Sequence, residues 1–124
     1  MTQLKGTVVK GWGSEVIFAT NEKYCGKLLN FNEGAKFSMH FHSVKDETWY
    51  VLRGKFLVEW INTSDATIHD QYLVVGDVWR NLPLLPHRIV CLEEGTIIEV
   101  STADSVEDNY RVLPGDSQQH LTNL

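Results

Sequence analysis

The sequence predicts an all-β fold, an antiparallel sandwich or barrel of the jelly-roll type. Short runs rich in β-branched and aromatic residues are separated by turn signals at Gly34, Gly54, Asn62, Gly76 and Gly95. Internal repeats, heptads and long helical periods are absent. The 124 residues, 43% hydrophobic and 22% charged, suffice for one hydrophobic core and have ordinary globular composition. A single domain over 1–124 is expected, with its core at about 10–113 and a C-terminal tail at about 114–124.

Each element has a local reason. Gly6, Gly11 and Gly13 around Trp12 read as a loop anchored by one large aromatic, and residues 15–19 as a short apolar strand. In Tyr24–Phe31, alternation puts Lys27, Leu29 and Phe31 on one face, so Lys27 is either an edge-strand charge or a cation aimed into a cavity. After Gly54 the run KFLVEWIN reads as a strand folded back on its predecessor through a tight turn. Residues 62–65 form a polar loop, 67–74 a strand, and Gly76-Asp77 a turn. The prolines at 83 and 86 then bend the chain ahead of His87, which opens an apolar strand. Residues 96–101 form another strand, and an acidic, polar tail with a turn at Pro114-Gly115 follows.

The chemistry concentrates between Gly34 and Gly54, GAKFSMHFHSVKDETWYVLRG. His40 and His42 are two residues apart, so on a strand both point to one face. After a loop at 43–46, Glu47, Trp49 and Val51 share a face, and Glu47 can face the histidine pair. Two imidazoles and a carboxylate suit a borderline divalent metal with coordination positions left open. His87, preset by its bend, is a candidate fourth ligand. Lys36, in phase with Ser38, His40 and His42, is either a cation near the metal or a solvated turn lysine.

These residues resemble a known family. Gly34, His40, His42, Glu47 and Gly54 reproduce the first cupin motif, Gly-x5-His-x-His-x4-Glu-x6-Gly, without gap or substitution. Gly76 and His87 fall on the first glycine and the histidine of the second motif, whereas Leu82, Leu84 and Cys91 stand where it has proline, glycine and asparagine. The resemblance implies a small antiparallel double-stranded β-helix, the cupin jelly roll, holding one divalent metal ion per chain (zinc, manganese, iron or nickel) on His40, His42, Glu47 and His87. At the ends, Lys10-Gly11-Trp12-Gly13, Ile98-Glu99-Val100-Ser101 and Glu107-Asp108-Asn109-Tyr110-Arg111 are similar to elements that open and close the cupin domain of type II phosphomannose isomerases. That narrower resemblance implies a carbohydrate or sugar phosphate as substrate.

In the isomerase-like reading the metal polarises a carbonyl and its adjacent hydroxyl, and a base moves a proton between carbons. Glu99, a carboxylate inside an apolar strand, is the first choice for that base and Glu59 the reserve; Lys36, Lys27 or Arg111 would meet a phosphate. Glu99 and Glu59 each have a solvent-facing alternative, and Arg111 reads equally as an exposed tail residue. The same ligands also describe a non-haem iron dioxygenase, and a non-catalytic small-ligand binding or sensor cupin is the third reading. Cys91, in phase with His87, reads as a buried small hydrophobe, His69 as exposed and structural, and His120 as inert.

The formal net charge of −5 argues against nucleic acid and anionic membrane as partners. No stretch approaches the roughly twenty apolar residues of a membrane span, and the N-terminal residues lack a signal-peptide pattern, so a cytoplasmic location is expected. Two cysteines without a CxxC pair argue against a disulfide framework. Four tryptophans in so small a barrel point to a homodimer.

Overall fold

The computed structural model describes residues 6–105 and 107–116. The described residues form nine strands: β1 Gly6–Lys10, β2 Gly13–Thr20, β3 Tyr24–Phe31, β4 Met39–Phe41, β5 Glu47–Asn62, β6 Thr67–Leu73, β7 Val78–Asn81, β8 His87–Thr102 and β9 Tyr110–Leu113. There is no helix among the described residues long and apolar enough to cross a membrane.

The frame is the pair β5 and β8, each 16 residues long and antiparallel along nearly their whole lengths. The first half of β5 pairs the second half of β8, with β7 on one flank and β3, β2 and β1 on the other. The second half of β5 pairs the first half of β8, with β6 on one flank and β4 and β9 on the other. Two sheets thus share two continuous strands, and the bend in those strands makes a jelly-roll barrel.

Gly54 therefore does not close a hairpin, as the sequence suggests, but makes the corner. The ladder between β5 and β8 slips between Val51 and Phe56. Gly54 has φ 89°, and a Cβ there would meet the carbonyl oxygens of Glu93 and Glu94 at 2.7 Å. The facing Gly95 is tighter still, since its Cβ would lie 2.0 Å from the carbonyl oxygen of Arg53. A bend this close needs two glycines, one per strand. The opening residues also differ from expectation. Gly6–Lys10 is a strand paired with β2, and only the turn at Gly11-Trp12 remains of the proposed loop.

One half of the barrel is filled by aromatic and aliphatic side chains. Trp12 stacks on Phe31 at 4.7 Å and meets Phe37 edge-on at 4.8 Å, and Phe31 packs on Phe56 at 5.2 Å. Leu29, Ala35, Trp49, Val51, Val58, Leu73, Ile89, Cys91 and Ile97 complete the core. Burying each large side chain contributes about 1.5–3 kcal/mol before entropy is charged against it. Cys91 is the buried hydrophobe that its phase implies; burial pushes its thiol up to about 11. The other half of the barrel is polar.

Candidate metal centre

Strand register brings the histidines together. His40 on β4 is paired with His87 on β8, and His87 in turn with Trp60 on β5. His42 follows two residues after His40 on the same face. One ring nitrogen from each of the three histidines lies within 4.8 Å of those of the other two. The ring planes of His40 and His87 meet edge-on with centroids 4.7 Å apart.

Hydrogen bonds decide the tautomers. His40 Nδ1 is 2.9 Å from the carbonyl oxygen of Ser38, His42 Nδ1 2.5 Å from that of Asp108 and His87 Nδ1 2.8 Å from that of Leu85. A carbonyl only accepts, so each Nδ1 carries the hydrogen and each Nε2 is left to the interior. His87 Nε2 is buried and has no hydrogen-bond partner among the described residues. An orphaned lone pair in a dry site, oriented by a backbone carbonyl behind it, fits a metal ligand. The Glu47 carboxylate stands beside the cluster, 3.2 Å from His42 Nε2 and 3.9 Å from His87 Nε2.

Burial, followed by the neighbouring imidazoles, pulls His40 down to about 3. His87, also chiefly through burial, falls to about 4. Both are neutral at physiological pH, the form that binds metal. For His42 burial acts downward but is outweighed by Glu47 and the Asp108 carbonyl, which raise it. Glu47 stays below the usual carboxylate range despite full burial because His42 and Lys45 hold its charge.

Glu99 enters the same cavity from β8, opposite both Lys27 and Trp49 in register. Its Oε1 accepts from Trp49 Nε1 at 3.0 Å, and its Oε2 lies 3.3 Å from Lys45 Nζ. Burial first, and then the charge of Glu47, raise its pKa above the usual carboxyl range.

The cavity these groups line has a volume of about 380 Å³, within the range of small-molecule sites. Lys27 lines it, buried, rather than guarding an edge. Arg111 lines it too, because the segment after β8 crosses the barrel mouth and β9 pairs with β4.

Two of the residues considered for catalysis are not brought in. Glu59 is paired with Arg88 at 2.9 Å and is not among the cavity's lining residues. Lys36 also lies outside that lining. Its backbone bridges Val90 and binds Asp116, and the inward phase slips before Ser38, since Phe37 and Ser38 both line the cavity. His69 is exposed and stacks on Trp60 at 5.4 Å, while His120 lies outside the described residues.

Sequence reasoning assigned no role at the site to Glu15, Lys45, Asp104 or Asp108. Lys45 sits in the loop between the ligands, where a lysine reads as solvated, yet its side chain is 6% exposed. Asp108 shapes that loop: its carboxylate accepts from the backbone N–H groups of Ser43 (2.6 Å), Val44 (3.1 Å) and Lys45 (3.0 Å). Leu84, at the position of the second motif's glycine, has φ 71°, and its N–H donates to the His42 carbonyl.

Comparison with known proteins agrees with the fold. No protein-family model and no curated protein matches the sequence. Among solved structures, KdgF from Halomonas sp. is similar with a TM-score of 0.66 and 22% identity, over 76% of this chain and 81% of that one. The fold is that of the cupin barrel. Oxalate decarboxylase from Bacillus subtilis matches with a TM-score of 0.73 and 21% identity over 86% of this chain. CapF from Staphylococcus aureus, a capsular polysaccharide assembling protein, matches with 0.75 and 18% over 91%. This chain spans 29% of the oxalate decarboxylase chain and 33% of CapF.

Proposed function

We propose that this chain is a metal-dependent enzyme of the cupin fold that acts on a carbohydrate or sugar phosphate, isomerase- or epimerase-like, with Glu99 transferring the proton. One observation carries the reading. Three imidazoles anchored through Nδ1, two of them neutral, converge with a buried carboxyl of raised proton affinity on one cavity.

His40, His42, His87 and Glu47 are the residues that would hold one divalent ion, which supplies Lewis acidity toward a substrate carbonyl or hydroxyl oxygen when bound. The chain's own groups account for the rest. Trp49 and Lys45 fix the two oxygens of Glu99 and so aim the carboxyl into the cavity. A carboxyl with raised proton affinity gives up and recovers a proton near neutral pH better than an ordinary one. The likeness of the chain ends to the phosphomannose isomerase cupin domain supports a sugar substrate. The exposed apolar residues Tyr50 and Val78, paired across β5 and β7, support self-association as a homodimer.

The oxidative alternative draws on one comparison, since the oxalate decarboxylase matched here has Mn(II) centres. The test is metal content by inductively coupled plasma mass spectrometry on untagged protein, beside a His40→Ala, His42→Ala variant. Deuterium incorporation into sugar phosphates in deuterated water then reads the chemistry. We expect about one metal per chain in the parent, none in the variant, and roughly 100-fold slower exchange in Glu99→Gln. Exchange unaffected by Glu99→Gln would overturn the role of Glu99. Oxygen-dependent turnover with iron and no deuterium exchange would favour the oxygenase.

A further inference from the structure

Away from the histidines, the cavity holds a second group of charges. Lys27 Nζ is 3.0 Å from Glu15 and Lys45 Nζ is 3.3 Å from Glu99, so each buried ammonium has a buried carboxyl group of its own. A third carboxyl group is shared between them. Asp104 places Oδ2 2.9 Å from Lys27 Nζ and Oδ1 3.1 Å from Lys45 Nζ, one oxygen on each cation.

Asp104 differs from the other two carboxyl groups in its setting. Glu15 and Glu99 project from strands, whereas Asp104 lies on the segment between β8 and β9 that crosses the cavity mouth. Its side chain is 33% exposed, against 9% and 6% for the two lysines. Solvent therefore reaches the lysine pair from the side of Asp104. Each ammonium lies within 3.3 Å of two carboxyl groups, a setting that favours its charge. Desolvating two ammoniums is costly, and buried ion pairs repay that cost poorly, so packing alone gives no reason for the arrangement.

We propose that Lys27 and Lys45 form an anion subsite, which takes a carboxylate or phosphate group of the cavity's small-molecule ligand in place of Asp104. Asp104 is then an internal occupant that satisfies the two cations until the ligand arrives. The incoming group would bridge the ammoniums as the Asp104 carboxylate does, with charge-assisted bonds to both. Through Lys45 and Glu99 the subsite adjoins the histidine cluster, so the ligand's anionic end and its reacting end sit in one cavity. This inference rests on reading the cavity as a small-molecule site. It narrows the substrate to an anionic one.

The test is calorimetric titration with inorganic phosphate and with acetate, on chelator-treated and on zinc-supplemented protein. Removing the competing charge by Asp104→Asn is expected to tighten anion binding roughly tenfold in the chelated protein, where no metal contributes. Lys45→Arg in that background should keep the gain, and Lys45→Met should lose it. If Lys45→Met does not fold by circular dichroism, Lys27→Met in the same background takes its place. Tighter binding of phosphate than of acetate assigns a phosphate group, and the reverse a carboxylate. The subsite is refuted if Asp104→Asn binds no tighter than the parent, or if the variant lacking a lysine binds as tightly as Asp104→Asn. Metal content of the same preparations is scored separately: zinc uptake without any effect of Asp104→Asn removes the subsite and leaves the metal reading intact.

Discussion

Lowering the pH from 7.5 to 5.0 should destabilise the metal-free protein by several kcal/mol, and the reason lies in two histidines. His40 is held at about 3 and His87 at about 4 in the folded chain. In the unfolded chain both return to about 6.5. Because the folded pKa values are depressed, the unfolded state binds more protons throughout the window between them, and stability falls as pH falls below 6.5. At pH 5 the linkage amounts to about 2 kcal/mol for each histidine, about 4 kcal/mol together. His42 acts with the opposite sign: its raised pKa contributes stability that is fully present below the unfolded value and lost as pH rises through the folded one. The net loss is therefore smaller than the sum, on the order of 2–4 kcal/mol. Urea titrations followed by tryptophan fluorescence, in chelator at pH 7.5, 6.5, 5.5 and 5.0, read it directly. A His40→Gln, His87→Gln variant should lose most of the slope. Stability that is level or higher at pH 5, or a variant as acid-sensitive as the parent, would refute the burial argument and with it the neutral imidazoles assigned to the site.

Gly95→Ala drives a Cβ to 2.0 Å from a backbone oxygen that cannot move aside, so a loss of more than about 3 kcal/mol, or failure to fold, is expected in urea or thermal melts. Leu84→Gly should change stability by no more than about 1 kcal/mol, toward greater stability, because relief of the positive φ outweighs the added chain entropy and the side chain is 60% exposed; a large loss in the same melts would show that Leu84 makes contacts beyond its backbone role. Asp108→Ala should weaken metal affinity roughly tenfold in competition with a chromophoric chelator, since it releases the loop beside His42 while leaving the four candidate ligands in place. Unchanged affinity would show that the loop holds its shape without Asp108.

The chain by itself determined the barrel and the identity of the cluster. Alternation along a strand is a local property, so His40 and His42 on one face, or Glu47 in phase with Trp49, follow from spacing alone. The bend that delivers His87 is likewise local, because each proline presets its own backbone. Only the tertiary structure decided what depends on register and on distant pairing. It converted Gly54 from a hairpin turn into the corner of a continuous strand, because the partner glycine lies 41 positions further on at Gly95. Glu99 came to face Lys27 and Trp49, Glu59 was tied to Arg88, and Lys36 was turned away by a slip in phase. Lys45, Asp104 and Asp108 sit in loops, where no period constrains the direction of a side chain. Their burial and pairing arise only once the segment after β8 crosses the barrel mouth.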